Sequence, residues 1–330
     1  MSQSSDVHLR FSVIVPTYNR PRPLQACLQA IAQMDYPRDR FEVIVVDDGG
    51  TQPLEAIVEP WQSKLALTLI QQPNAGPGAA RNHGATQARG DYLAFTDDDC
   101  QPDRRWLNTL ATQIQIHPTA LIGGAIHNRL TRNPCAEASQ LIISYLYQYF
   151  AHNPQAPRFF TSNNLVVPRD RFLALGGFDP AFRIASEDRE LCDRWNQQAE
   201  PLIYCPAAQV FHSHDLNLWS FWKQHFNYGR GGFRFQQQHT QRQSPSKLAP
   251  ESPPKSPPES PLVGAQSQTD RLRFYRNLLS YPYRTVTPKN LRTMLWATGL
   301  AFLILLAQVA TASGMICEWA RSRQETRNTP

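Results

Sequence analysis

The 330-residue chain predicts an α/β protein with a mainly parallel central sheet flanked by helices. Three observations carry that reading. Short β-branched runs alternate with helix-like stretches through the first 125 residues or so. A cluster of Asp, Asn and Gly follows three of the runs, and the body of the chain is long enough to bury a large core. Strand–helix alternation places helices on both faces of a parallel sheet, and such sheets bind ligands at the carboxyl ends of their strands.

In chain order the strands are Phe11 to Val15, Phe41 to Val46, Leu67 to Ile70, Tyr92 to Phe95 and Leu121 to Ile122. Leu24 to Ala32, Ala79 to Ala88 and Trp106 to Ile116 have helical patterns between them. Asn163 to Pro168 is a further strand, and Leu141 to Phe150 reads most simply as a buried helix, with an acceptor channel as the other reading.

Composition narrows the functional classes. A mean hydropathy of −0.45 excludes a polytopic membrane protein. Lys+Arg 33 against Asp+Glu 27 gives a net charge of +6, which suits a protein that meets phosphates or acidic lipids. The six cysteines form no C-x-x-C pair, so the chain predicts neither a zinc site nor a disulfide framework and fits a reducing compartment.

The strand ends hold the chemistry. Pro16-Thr17-Tyr18-Asn19-Arg20 follows the first strand, Asp47-Asp48-Gly49-Gly50 the second, and Asp97-Asp98-Asp99 the fourth. Any one cluster is explained by turns and helix caps; three at one sheet edge point to a site. Three adjacent carboxylates repel unless a cation or an Arg neutralises them, with a divalent metal the economical answer, and on an extended segment Asp97 and Asp99 face the same way. Oxygen ligands of this kind predict Mg²⁺ or Mn²⁺, with phosphate oxygens of a nucleoside diphosphate completing the shell. Asn74 to Asn82 is a glycine-containing loop entering a helix, with Arg81 placed to reach an anion. It has the spacing of neither a P-loop nor a dinucleotide fingerprint.

With V-I-V-P-T-Y-N-R, V-V-D-D-G, N-x-G-x-x-x-A-R-N-x-G, G-D-Y-L-A-F-T-D-D-D and G-G-F-D-P-x-F…S-E-D-R-E-L in this order, the chain resembles the family 2 glycosyltransferases of the A-type nucleotide-sugar fold. The resemblance spans about Phe11 to Phe235. It implies a Rossmann-like nucleotide-binding half followed by an acceptor half. It also implies that Thr17 and Asp48 line the base and ribose pocket, with Pro16 and Tyr18 beside them. Arg81 approaches the nucleotide, Asp98 lies in the same site, and Asp97 and Asp99 form the D-x-D pair around metal and diphosphate. Gly50 stands where the family commonly has Ser.

The later motif has two readings. Ser186 can start a helix whose first turn takes Glu187, Asp188 and Glu190 for dipole reasons. In the family this segment supplies the general base, which makes Asp188 the expected catalytic residue and Glu187 the second choice. The implied reaction is one in-line displacement that inverts the anomeric centre. His214, in His212-Ser213-His214, is a candidate further metal ligand against the alternative of an ordinary surface or core histidine. Phe221 to Phe235 mixes aromatics, cations and glycines. It reads as a base-stacking surface, a membrane-interface helix or a flap over substrate, and the resemblance favours the last two, with Arg230 at the diphosphate.

The expected organisation is a catalytic body over residues 8–235, divided at residue 100, then a Pro/Ser/Gln-rich disordered linker over 236–268. A basic segment over 269–293, a transmembrane helix over 294–316 and a short polar tail over 317–330 follow. Met294 to Ile316 carries no charge, which is enough to span a bilayer; a buried helix is the alternative. No signal peptide is visible, and the excess of Arg and Lys before the span places the body in the cytoplasm. The expected partners are a nucleotide-diphosphate sugar, a glycan or lipid-linked acceptor and the membrane, and not nucleic acid. The activity is expected to serve polysaccharide, glycolipid or envelope-glycan synthesis. A catalytically silent nucleotide-sugar-binding scaffold and a nucleotidyltransferase of related fold are the alternatives. The chain has neither the Q-x-x-R-W motif nor the several spans of a processive synthase.

Overall fold

A computed structural model of the chain describes residues 9–152, 159–243 and 268–327. It divides into two compact units, the first formed by Met1–Arg129, Phe159–Arg183 and Glu187–Ser213, the second by Leu130–Arg158, Ile184–Ser186 and His214–Pro330.

The first unit is built on one eight-stranded sheet. Its strands are β1 (Phe11–Thr17), β2 (Phe41–Asp47), β3 (Leu67–Gln71), β4 (Tyr92–Thr96), β5 (Cys100–Pro102), β6 (Leu121–Asn128), β7 (Asn164–Pro168) and β8 (Leu202–His212), in the order β3-β2-β1-β4-β7-β6-β8-β5. Helices α1 (Pro21–Ile31), α2 (Glu55–Gln62), α3 (Pro77–Gln87), α4 (Trp106–Ile116), α6 (Arg169–Ala174) and α7 (Glu187–Gln197) belong to it. The central position of β1 explains why all seven of its residues are buried. Both α1 and α3 begin with proline, whose fixed φ suits the first helical turn and whose missing N–H is not needed there.

The strands β1 to β4 pair in parallel, as the alternation of elements predicts. Beyond β4 the sheet becomes mixed: β7 runs antiparallel to β4 and β6, β8 runs parallel to β6, and β5 runs antiparallel to β8. This corrects the expected division at residue 100. Because β7 pairs with β4 from Tyr92↔Pro168 to Thr96↔Asn164, both expected halves of the catalytic body contribute strands to one sheet, which no break at residue 100 divides. One core cluster accordingly runs from Phe11, Val43 and Leu24 to Trp106, Val166 and Val210.

Pro16 lies inside β1, where a proline normally disrupts a ladder. It is tolerated because the pairing of β1 with β4 ends at Ile14↔Phe95, while the pairing with β2 continues through Pro16↔Val46 to Thr17↔Asp47. The strand therefore parts from β4 just before the polar cluster.

The second unit is helical: α5 (Pro134–His152), α8 (Leu218–Gln243), α9 (Gln268–Val286) and α10 (Leu291–Arg327). Phe221 to Phe235 is thus part of a continuous helix. The same helix runs through Gln243, so the expected linker does not begin at residue 236; 244–267, with the Pro/Ser repeats, lie outside the described residues. Helix α10 is long and apolar enough to cross a membrane, by length and composition. All six cysteines are free thiols, five of them buried.

Candidate active site

Thr17, Asp48, Arg81 and Asp97–Asp99 all lie at the carboxyl ends of β1, β2 and β4 or in the first turns of the helix that follows β3. The three adjacent aspartates occupy a turn, closed by the Cys100 amide donating to the Asp97 carbonyl at 3.0 Å, and not the extended segment expected. Each carboxylate therefore points to its own partner. Arg81 Nη2 donates to Asp97 Oδ1 at 2.6 Å. Thr17 Oγ1 donates to Asp98 Oδ2 at 2.7 Å, and Arg20 Nη1 meets Asp98 Oδ1 at 2.8 Å. Arg20 Nη2 meets Asp99 Oδ2 at 2.5 Å, and His212 Nε2 lies 3.2 Å from Asp99 Oδ1.

This corrects the argument that a divalent ion is the economical counter-charge. Two guanidinium groups already pair with all three carboxylates and offset much of their repulsion, so repulsion alone does not demand a metal. Burial pushes the Asp98 pKa up to about 7 against the opposing pull of Arg20 and the Thr17 hydroxyl. Burial also disfavours charge on His212, but its hydrogen bond to Asp99 and the charges of Asp99 and Asp97 outweigh that and hold its pKa above the ordinary value.

The donor set is nevertheless one a divalent cation accepts. The carboxylate of Asp99, the imidazole of His212 and the Cys100 thiol converge with their ligand atoms all within 4.8 Å of one another. The expected ligand His214 falls in the second unit, whereas His212 ends β8 in register with Cys100 of β5. The register of that strand pair decides which of the two histidines reaches Asp99.

Asp48, expected at the base and ribose, holds the loop that leads into α3. Its Oδ1 accepts from Gln72 Nε2 at 2.7 Å and the Ala75 amide at 2.8 Å; its Oδ2 accepts from Asn74 Nδ2 at 3.1 Å and the Gly76 amide at 2.9 Å. Both oxygens are spent in holding the loop that leads into α3. Tyr18, by contrast, stands exposed at the end of β1.

Arg81 is buried and bridges two motifs far apart in sequence. Its Nη2 holds Asp97, its Nη1 meets Glu187 Oε1 at 3.2 Å, and its guanidinium lies over the Phe178 ring at 5.6 Å. Its Nε is buried without a hydrogen-bond partner among the described residues, which leaves one unspent donor in an acidic cluster. The turn before α7 is fixed by Asn82, which donates to the Phe178 carbonyl at 2.7 Å and accepts from the Phe178 amide at 2.8 Å. Gly177 has φ +69°, and an added Cβ would meet Asn82 Oδ1 at 2.4 Å, so only glycine fits this junction. Arg194 then ties α7 back to the turn through Glu190 and the carbonyls of Leu175 and Gly177.

Asp188 sits beside Glu187 in the first turn of α7 and is half-buried. Burial first, and the neighbouring Glu187 charge second, push its pKa up to about 7. Arg20, present in the first motif, and His212 are the two site residues that sequence reasoning did not assign. The Arg20 signal was its position immediately before the helix-starting Pro21, at the end of a central strand. Arg230, expected at the diphosphate, belongs to the second unit, where its Nε pairs with Glu318 at 2.7 Å.

These features define a site at the carboxyl ends of the strands in which two acidic motifs are joined by a buried arginine. Residues 12–169 match the model of Glycosyl transferase family 2. Glycosyltransferase AglE of Haloferax volcanii is 37% identical over 118 residues, 35% of this chain and 38% of that protein. Poly(ribitol-phosphate) beta-N-acetylglucosaminyltransferase TarS of Staphylococcus aureus is 38% identical over 111 residues, 33% of this chain and 19% of that one. Both matches cover less than half of either protein's length. Among solved structures, the mannosyltransferase PcManGT of Pyrobaculum calidifontis in complex with GDP-Man and Mn²⁺ aligns with a TM-score of 0.60 at 20% identity, covering 98% of this chain and 89% of that one. TarS 1–349 of S. aureus in complex with UDP-GlcNAc aligns at 0.51 and 18% identity, covering 97% and 92%. The fold is therefore the A-type glycosyltransferase fold.

Proposed function

We propose that this glycosyltransferase transfers a sugar from a nucleoside-diphosphate donor to an acceptor hydroxyl with inversion at the anomeric carbon, using Asp188 as general base. The observation that carries the reading is the Arg81 bridge, which ties the D-D-D turn to the E-D start of α7 within one unit. The pKa of Asp188, raised to about 7, suits a group that must take a proton near neutrality and hold it while the new bond forms. Glu187, whose carboxylate is occupied by Arg81, acts in this scheme as the positioning partner.

The donor is read as a nucleotide-sugar because the relatives of this fold are solved with GDP-Man and with UDP-GlcNAc. Asp99 and His212 are the residues of the convergent group that would hold Mg²⁺ or Mn²⁺, with Asp97 the expected second carboxylate, and Mn²⁺ accompanies GDP-Man in PcManGT. When bound, such an ion supplies counter-charge to the departing diphosphate. Tyr18 offers an exposed aromatic face to the base, Thr17 positions Asp98, and Arg20 and Arg81 keep the acidic turn ordered until donor arrives. We further read the protein as attached on the cytoplasmic side of a membrane through α10, with a glycan or lipid-linked acceptor of envelope, glycolipid or polysaccharide synthesis.

Calorimetry of the full-length protein with a panel of nucleotide sugars, with and without Mn²⁺, tests this. Binding of one donor, strengthened by Mn²⁺ and followed by transfer with inverted configuration, is the expected result. A folded protein that binds no donor would instead be a silent scaffold, and product of retained configuration would remove the role given to Asp188.

A further inference from the structure

We infer that α10 does not cross the membrane but lies along one leaflet, with its outward apolar face in an anionic bilayer and both its ends on the side of the catalytic unit. The inference rests on the membrane reading above for its partner, and it replaces the single crossing that composition alone suggests.

The helix has two unlike faces. Ala297, Leu300, Ile304, Ala307, Thr311, Gly314 and Glu318 are buried, at alternating steps of three and four residues, which makes one continuous stripe down a helix. That stripe is occupied within the second unit. An added Cβ at Gly229 of α8 would come 1.9 Å from the Thr311 carbonyl, and one at Gly314 would come 1.9 Å from the Phe226 carbonyl, so the two backbones are in direct contact. Near the C-terminal end of α10, Glu318 accepts from Arg230 at 2.7 Å and from Arg234 at 2.6 Å, both on α8. Near its start, Tyr283 of α9 donates to Thr298 at 3.1 Å. Helix α5 joins these two flanking helices, through Ser139 to His225 of α8 at 3.0 Å and Tyr145 to the Phe274 carbonyl of α9 at 3.1 Å.

A crossing helix would carry this whole assembly into hydrocarbon, including Arg230, Arg234 and Glu318, which membranes accept poorly. The opposite face has no such cargo. Leu295, Phe302, Leu305, Val309 and Ile316 are each about half exposed or more, and no charged residue interrupts that face between Arg292 and Glu318. Exposed Arg284, Lys289 and Arg292 cluster at the α9–α10 corner. An apolar stripe bordered by cations matches an anionic lipid surface, with the stripe among acyl chains and the cations at headgroups.

Cys317 supplies the test without mutation, because it is the exposed cysteine and the other five are buried. In sealed inverted vesicles from cells expressing the full chain, a membrane-impermeant maleimide should label Cys317 before detergent is added as fully as after it. Labelling that appears only after detergent would overturn the inference, because Cys317 would then lie across the bilayer. Cys317→Ser should abolish the signal. The combined Phe302→Ser, Leu305→Ser and Val309→Ser variant should move at least ten-fold more protein into the soluble fraction and weaken uptake by phosphatidylglycerol vesicles. Undiminished membrane binding, or a dimer sealed through this face that ignores vesicles, would refute it. Donor calorimetry on the same preparations reads the catalytic proposal separately, so failure of one is distinguishable from failure of the other.

Discussion

The acidic turn at Asp97–Asp99 and the acidic start of α7 at Glu187–Asp188 hold the same side-chain chemistry in opposite settings. Asp98 and Asp188 are both pushed up to about 7, chiefly by burial. Asp98, however, is locked between the Arg20 guanidinium and the Thr17 hydroxyl, whereas Asp188 accepts from the Arg189 backbone amide at 2.7 Å. The difference teaches that a raised pKa alone does not mark a base. A carboxylate clamped by a cation serves geometry; one held by backbone amides beside a like charge is free to exchange its proton.

Replacing Asp188 breaks the comparison most severely. Asp188→Asn preserves shape and removes the base, so turnover should fall by about 10²–10⁴-fold while donor affinity stays within a factor of about two. Wild-type turnover should rise with pH through about 7, because the ionised carboxylate is the active form, and the variant should lose that limb. Stability runs the other way. With the folded pKa above its ordinary value, the unfolded chain releases this proton first, so its contribution weakens as pH climbs from the ordinary carboxylate range through about 7. Urea denaturation across that window should give a shallower pH slope for Asp188→Asn than for the wild type. An unchanged slope would mean that Asp188 is not the group held protonated by burial.

Arg81→Met tests the bridge between the two acidic segments. It leaves Asp97 and Glu187 facing each other's surroundings without their shared cation, which for a buried pair costs about 3–5 kcal/mol. Chemical denaturation should register that loss before any assay does. A variant as stable as the wild type would show that solvent, and not Arg81, balances these carboxylates.

The readable parts of the sequence were those in which one residue carries its own reason. Proline at Pro21 and Pro77 starts helices, and the runs at β1 and β2 give strands within two residues of their observed ends, whereas Leu121 to Ile122 marks only the start of β6. The expectation failed where partners come from afar. Nothing local says that β7 turns the sheet antiparallel, that Arg20 answers Asp98 and Asp99, or that the register of β5 and β8 selects His212 over His214. The charge-free stretch in α10 was legible, but its occupied face depends on glycines in α8 more than seventy residues earlier.

The mildest predictions separate Asp48 and Tyr18, two of the residues expected to bind the nucleotide-sugar. Asp48 accepts four hydrogen bonds from the loop before α3, so Asp48→Asn turns an acceptor into a donor facing other donors. The expected cost is about 1–3 kcal/mol of stability, with a weakened donor affinity only as far as the loop loosens. Tyr18 is exposed and has no such duty, so Tyr18→Ala should leave the denaturation midpoint unchanged. Loss of its aromatic face should weaken nucleotide binding by about 0.5–1.5 kcal/mol, some two- to ten-fold in Kd. Calorimetry with the free nucleoside diphosphate decides the matter. If Asp48→Asn loses affinity while keeping full stability, Asp48 touches the nucleotide directly; if it loses stability and Tyr18→Ala loses affinity, the carboxylate builds the loop and the aromatic ring meets the base.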